Sequence, residues 1–309
     1  MQGLVLCLVW AAGGVPALAQ GKKANTPPNI VLILADDLGY SDIGCYGSEI
    51  ATPTLDRLAA QGTRLTRFYN AARCCPTRAS LLTGLYPHQA GLGDMVENLG
   101  TPAYQGYLNQ HCVTIAEALK PAGYATLMSG KWHVGAARGR QPLDRGFDRY
   151  FGLLDGAANY FEPTNPYRPQ HQRNPLRVLL DSSDYVYGSD FYMTDAISAY
   201  ADTFIRQVPQ AQPLLLYLAY TAPHWPLHAR EAEIAKYRGR YKAGWEAIRN
   251  ARFAKQQQLG VIEKGTRLSP LYQSNEPGRM PLWDTLTEAE KDTWDLRMAT
   301  YAAMVEAMD

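Results

Sequence analysis

The sequence predicts an α/β fold built on a largely parallel sheet. Three observations predict it: a continuous apolar run rich in β-branched residues, an alternation of strand-like and helix-like segments after it, and polar residues immediately beyond the strand ends. The run Asn29-Ile30-Val31-Leu32-Ile33-Leu34-Ala35 reads as a central strand covered on both faces, because such a strand need not alternate apolar with polar residues. Thr52 to Gly62 carries a capping residue, an early Pro53 and a terminal glycine, and reads as a helix. Arg64 to Tyr69 reads as a short strand. Pro76 to Leu82 reads as a helix with Pro76 in the first turn, where its missing N–H costs little. Thr114 and Glu117 stand in capping-box spacing before a helix that Gly123 ends, and Tyr124 to Met128 is the next strand. Asn159 to Ser189, rich in Pro, Tyr, Asn and Arg, reads as long loops lining a pocket. Tyr192 to Gln207 is helical, Leu214 to Tyr220 is an apolar strand, and Glu231 to Leu259 is charged and largely helical. Thr287 and Glu290 cap a last helix within Thr285 to Asp309.

The composition is that of an ordinary globular chain: 309 residues, 46% hydrophobic, 19% charged. A net charge of +1 with no long basic run excludes an extended nucleic-acid footprint, although a local cluster can still bind an anion. Gly3 to Val9 is apolar, and Ala17-Leu18-Ala19 before Gln20 is a small-residue cleavage pattern, so residues 1–19 read as a secretory signal and 20–28 as a polar linker. The expected location is secreted or periplasmic. The apolar run is too short for a membrane span, and Cys7 lies inside it, so no stable membrane anchor is expected. Beyond the signal, Cys45, Cys74, Cys75 and Cys112 remain; a Cys45–Cys112 and a Cys75–Cys112 bridge are both open. No CxxC pair or Cys/His cluster has zinc spacing along the chain.

Four short segments carry chemistry. Cys74-Cys75-Pro76-Thr77-Arg78 puts a thiol at a helix start, where backbone N–H groups, the helix dipole and Arg78 together suit an anion. A Cys-Cys pair is more often structural, so the segment alone decides little. Asp36-Asp37 follow the first strand at once. Adjacent carboxylates repel unless a cation or strong donors hold them, and oxygen-only donors favour calcium or magnesium; a helix cap or a solvated turn is the plainer alternative. Lys131 and His133 follow the Tyr124 to Met128 strand and His224 the Leu214 to Tyr220 strand. Three strands thus deliver polar groups to one sheet edge, where open α/β sheets bind ligands.

Cys74 to Arg78, running on to Thr83-Gly84, resembles the type I sulfatase signature C-x-P-x-R followed by T-G. Ala35-Asp36-Asp37-Leu38-Gly39-Tyr40-Ser41-Asp42 resembles that family's metal segment A-D-D-L-G-Y-G-D, with Ser41 for glycine. Gly130-Lys131-Trp132-His133-Val134-Gly135 resembles G-K-W-H-L-G, and Ala222-Pro223-His224-Trp225-Pro226 falls on N-A-P-H-x-P. The resemblance implies an alkaline-phosphatase-like three-layer sandwich. It implies that Cys74, not Cys75, is oxidised to formylglycine (3-oxoalanine) by a maturation enzyme, and that Asp36, Asp37 and residue 74 bind calcium. Arg78 and Lys131 would neutralise sulfate oxygens, His133 would bond the formylglycine hydroxyl, and His224 would donate to sulfate or to the leaving oxygen. One hydroxyl of the hydrated aldehyde would attack sulfur and release the alcohol; the other would lose its proton and expel sulfate.

The resemblance runs from Asn29 to Asp309, but family members add a second metal pair, Asp-Asn in a D-N-G turn, a further active-site lysine and a smaller C-terminal domain. No D-N-G occurs here, and the sequence ends in mid-helix. Residues 29–309 therefore read as a truncated sulfatase catalytic domain, weak or inactive by itself. The expected substrate is an aryl sulfate or a sulfated carbohydrate. A phosphomonoester or phosphonate-ester hydrolase of the same superfamily and a non-catalytic sulfated-glycan binder stand as alternatives.

Overall fold

The structure is a computed structural model that describes residues 27–165, 176–274 and 280–309. The expected signal segment and His171 lie outside them. Six strands form one sheet: β1 (Ile30–Leu34), β2 (Ala125–Gly130), β3 (Arg149–Leu153), β4 (Val178–Leu180), β5 (Ser183–Asp184) and β6 (Leu214–Ala219). Their order across the sheet is β1-β6-β2-β3-β4-β5. The first four are parallel, and β4 and β5 are added antiparallel.

Strand β6 shows how the layers arise. All six of its residues are buried. Leu214, Leu216 and Leu218 face one apolar cluster, whereas Leu215, Tyr217 and Ala219 face another, as a two-residue side-chain period requires. The first cluster holds Ile197, Ala201 and Phe204 of α4 (Met193–Gln207) and Ala299, Ala302 and Ala303 of α7 (Glu288–Met308). The second holds Cys75, Ala79 and Leu82 of α2 (Cys74–Thr83) and Ala116 of α3 (Ile115–Leu119). Helix, sheet and helix therefore form three layers, as the resemblance implied. The remaining helices are α1 (Pro53–Gln61), α5 (Glu231–Ala235) and α6 (Trp245–Gln258). Both expected capping boxes form, Thr114 with Glu117 and Thr287 with Glu290.

Three expectations change. Strand β1 is an edge strand, paired with β6 alone among the described strands. Its Ile30, Leu32 and Leu34 pack on the α2 side, but Val31 and Ile33 are 51% and 47% exposed, so only one face is covered. Residues 64–69 form no strand: no described strand lies beside them to accept their backbone bonds, and Leu65, Phe68 and Tyr69 are exposed. The 159–189 stretch is not all loop, because β4 and β5 pair within it and extend the sheet beyond β3. Among the described residues no disulfide forms; Cys45, Cys74, Cys75 and Cys112 all carry free thiols.

The segment that follows β1 is fastened from several sides. Asp42 accepts from Gly39 N at 2.9 Å and from Tyr301 OH at 2.6 Å, and it pairs with Arg252 of α6. Arg252 also pairs with Glu49 at 2.7 Å. Behind these, the fully buried Asp295 of α7 accepts from Gly239 N at 2.9 Å and Tyr241 N at 3.0 Å, and pairs with Arg238 at 3.0 Å.

Candidate active site

The parallel strands end side by side, and the backbone beyond each is stitched to its neighbour. Tyr220 N donates to Leu34 O at 2.9 Å, Asp36 N to Ala222 O at 3.0 Å, and Lys131 N to Ala219 O at 2.7 Å. The side chains of Asp36 and Lys131 therefore start from adjacent points of one rim. Gly130 makes this approach possible. Its φ is +120°, and a Cβ there would lie 1.8 Å from Ala219 O. Gly130→Ala is expected to destabilise the chain by about 3 kcal/mol or more, because backbone must yield rather than a side chain. Urea unfolding midpoints measure this; a loss under about 1 kcal/mol would refute the close-approach argument.

Asp36 and Lys131 meet in a buried ion pair, Nζ to Oδ2 at 2.5 Å, with the Lys131 side chain wholly inaccessible. Arg78, from the second turn of α2, lies beneath them. Its Nη1 donates to Lys131 O at 2.7 Å, and its Nη2 stands 3.5 Å from Asp36 Oδ2. Two cations thus share one carboxylate. The Arg78 Nε atom, also buried, has no hydrogen-bond partner.

Cys74 opens α2, with Arg73 as the capping residue in extended conformation. Hydrogen bonding from the Cys75 thiol, and then from His133, holds the Cys74 thiol well below the usual thiol range, and Lys131 adds to the effect. The Cys75 thiol is pushed up by the same bond and by burial. His133 has a left-handed backbone, φ +55°, and its N donates to Leu154 O at 3.1 Å. Burial pulls its imidazole below the ordinary value. Its Nδ1 is buried without a partner. Gly156 leaves room for this ring: a Cβ there would sit 2.4 Å from His133 Cε1.

Asp37 points outward, also with positive φ, and its Oδ2 lies 3.4 Å from Nε2 of His224. His224 and His133 line one cavity of about 1080 Å³ together with Cys74. The six singled-out positions besides Asp37 thus fall into two groups. Cys74, His133 and His224 face the cavity, whereas Asp36, Arg78 and Lys131 form a closed ionic layer below it. The Lys131 ammonium, which the resemblance implies neutralises sulfate oxygens, is paired with Asp36 in this structure.

Sequence motifs missed much of the cavity wall. Arg73 pairs with Asp94 at 2.7 Å, and the Arg140 guanidinium stacks over the Tyr107 ring at 3.3 Å. Asp155 lines it too, its carboxyl raised by burial. These residues come from loops without periodicity; only Arg73, next to Cys74, carried a positional signal. Two other histidines find supporting places. His88 bonds Tyr104 OH at 3.0 Å, as a structural residue should. His228 is half-buried; its Nδ1 accepts from Tyr160 N at 3.4 Å, and its ring lies beside Phe161.

The Sulfatase family model matches residues 28–309. A protein of Schizosaccharomyces pombe described as an uncharacterized sulfatase is 39% identical over 94% of this chain and 54% of its own length. The arylsulfatase of Klebsiella aerogenes is 36% identical over 96% of this chain and 62% of its own. The chain thus spans little more than half the length of these relatives. The crystal structure of Ps i-CgsB in complex with k-i-k-neocarrahexaose superposes with a TM-score of 0.61 at 34% identity, covering 76% of this chain and 53% of that one. The match across 28–309, joined to relatives well above 30% identity over nearly all of it, establishes that the chain belongs to the sulfatase family.

Proposed function

We propose that the complete protein hydrolyses sulfate esters, of aryl alcohols or of carbohydrates, with residue 74 as nucleophile after oxidation of Cys74 to formylglycine. The observation that carries this reading is the placement of Cys74. It opens helix α2 at the floor of a cavity of about 1080 Å³, beside His133 and above a buried Asp36–Lys131–Arg78 cluster. The hydrated aldehyde supplies the attacking oxygen. His133 is placed to hold a proton of that residue, and His224 at the cavity wall to donate to the departing oxygen. Arg78 and Lys131 supply the positive field below the reacting sulfur, where charge neutralisation lowers the barrier.

Asp36 and Asp37 fit calcium in kind, being adjacent hard-oxygen donors. They are two residues of a shell of roughly six to eight oxygens, and Asp36 is held by Lys131. Calcium when bound would polarise a sulfate oxygen; Asp36 and Asp37 would hold it. Arylsulfatase and N-acetylgalactosamine-6-sulfatase relatives support the two substrate classes. Residues 1–19 are proposed to direct export; no described helix is long and apolar enough to cross a membrane.

The test uses the complete protein co-expressed with a formylglycine-generating enzyme. The Cys74 peptide should lose sulfur and two hydrogens and gain oxygen by mass spectrometry, and an aryl sulfate should turn over well ahead of the matching aryl phosphate. A large preference for phosphate would replace the reading with a phosphoester hydrolase. An unmodified thiol and no turnover would leave a glycan-binding protein.

A further inference from the structure

The sequence shows no Cys/His spacing of the zinc type, yet the fold builds such a cluster. One donor atom each of Cys74, Cys75 and His133 lie within 4.8 Å of one another, the one cluster of three Cys, His or carboxylate donors among the described residues. Two are consecutive in the first turn of α2, and the third arrives from beyond β2. Around a tetrahedral zinc ion, with Zn–S about 2.3 Å and Zn–N about 2.0 Å, donors stand roughly 3.5–4 Å apart. The thiols and the imidazole are thus within about 1 Å of a coordinating arrangement. Cys75 is fully buried and has no part in ester hydrolysis, and the Nδ1 of the buried His133 lacks any partner.

We propose that, while Cys74 remains a thiol, Cys74, Cys75 and His133 bind one thiophilic divalent cation such as zinc or cadmium, and that conversion of Cys74 abolishes the site. The second half rests on the formylglycine reading; the first does not. Binding forms two metal–thiolate bonds and releases the proton of each sulfur that still carries one, which is that of Cys75 and not of the already ionised Cys74. The bound unit, one M²⁺ with two thiolates and a neutral imidazole, carries no net charge. It is therefore tolerated beside Lys131 and Arg78, which already share the single carboxylate of Asp36. A fourth position faces the cavity and is open to water or an anion. Conversion removes the Cys74 sulfur, leaving two donors of the wrong number for a tight soft-metal site.

The test takes the full 309-residue chain made without the maturation enzyme, its Cys74 peptide confirmed unmodified by mass. After incubation with zinc and gel filtration, about one zinc per chain is expected. Cadmium titration should give a thiolate-to-metal charge-transfer absorption that saturates at one equivalent. Cys74→Ala and Cys75→Ala should each weaken binding at least about tenfold, the scale seen even for lesser changes around metal sites. Less than one-tenth of an equivalent of zinc in the thiol form overturns the proposal, as does undiminished binding in either variant. Should the buried Cys75→Ala fail to fold, Cys74→Ala and the cadmium absorption of the unaltered chain decide. A converted sample that still binds zinc as tightly would refute only the second half. The formylglycine reading fails separately, on the peptide mass.

Discussion

Asp36→Asn is expected to lower the stability of the chelator-treated chain by about 3–5 kcal/mol, the usual penalty for stripping one partner from a buried ion pair. The reason lies in the count of charges. Lys131 has no exposed side-chain surface and keeps its ammonium 2.5 Å from Asp36, while the Arg78 guanidinium stands 3.5 Å from the same oxygen. Removing the carboxylate charge leaves two buried cations with no carboxylate between them. The measurement is the urea midpoint with an unchanged slope. In the double variant Asp36→Asn/Lys131→Met, part of the loss should return, since an apolar chain of similar length replaces the stranded ammonium. A single-variant loss under about 1 kcal/mol would mean that water or an anion reaches Lys131 and that the ionic layer is not closed.

Cys74→Ala is expected to cut turnover of the complete, matured protein by a factor on the order of 10⁴ or more, as loss of a covalent nucleophile does. Cys75→Ala should cost less than about tenfold, because its side chain packs behind α2 and does not line the cavity. The contrast separates nucleophile from neighbour in a pair that sequence alone orders only by motif position. Initial rates with an aryl sulfate decide it. Residual activity above about 1% in Cys74→Ala would remove residue 74 from the chemistry.

Much of this was legible in the sequence because the signals were local. The strand ends, read at Ala35, Met128 and Tyr220 and found at Leu34, Gly130 and Ala219, were legible to within two residues from apolar runs that stop at polar residues, and the topology then had few ways to seat them. The capping boxes at Thr114 and Thr287 were legible for the same reason. Position within the sheet was not. An apolar run such as 29–35 looks the same at an edge as at the centre, since periodicity reports what touches a strand and not how many neighbours bond it. The 64–69 segment had strand composition but no partner, and pairing is a property of the rest of the chain. Side-chain partnership was equally hidden. Nothing in Gly130-Lys131 says that the ammonium turns inward onto Asp36, nothing in Cys74-Cys75 says that His133 will complete a triangle of donors, and the stacked Arg140 and Tyr107 lie in loops.

The order of strands across the sheet also sets a timetable. Helix α2 buries Cys75, Ala79 and Leu82 against Leu215, Tyr217 and Ala219 of β6, and among the described strands β1 pairs only with β6. During synthesis these partners leave the ribosome well over a hundred residues after Cys74, a delay on the order of ten seconds at common elongation rates. Until then the helix has no floor to settle on, and its first residue stays within reach of any enzyme that works on an extended chain. If residue 74 is converted as proposed, elongation speed would bear on how many molecules are converted: slower translation would widen the interval, and faster folding would close it.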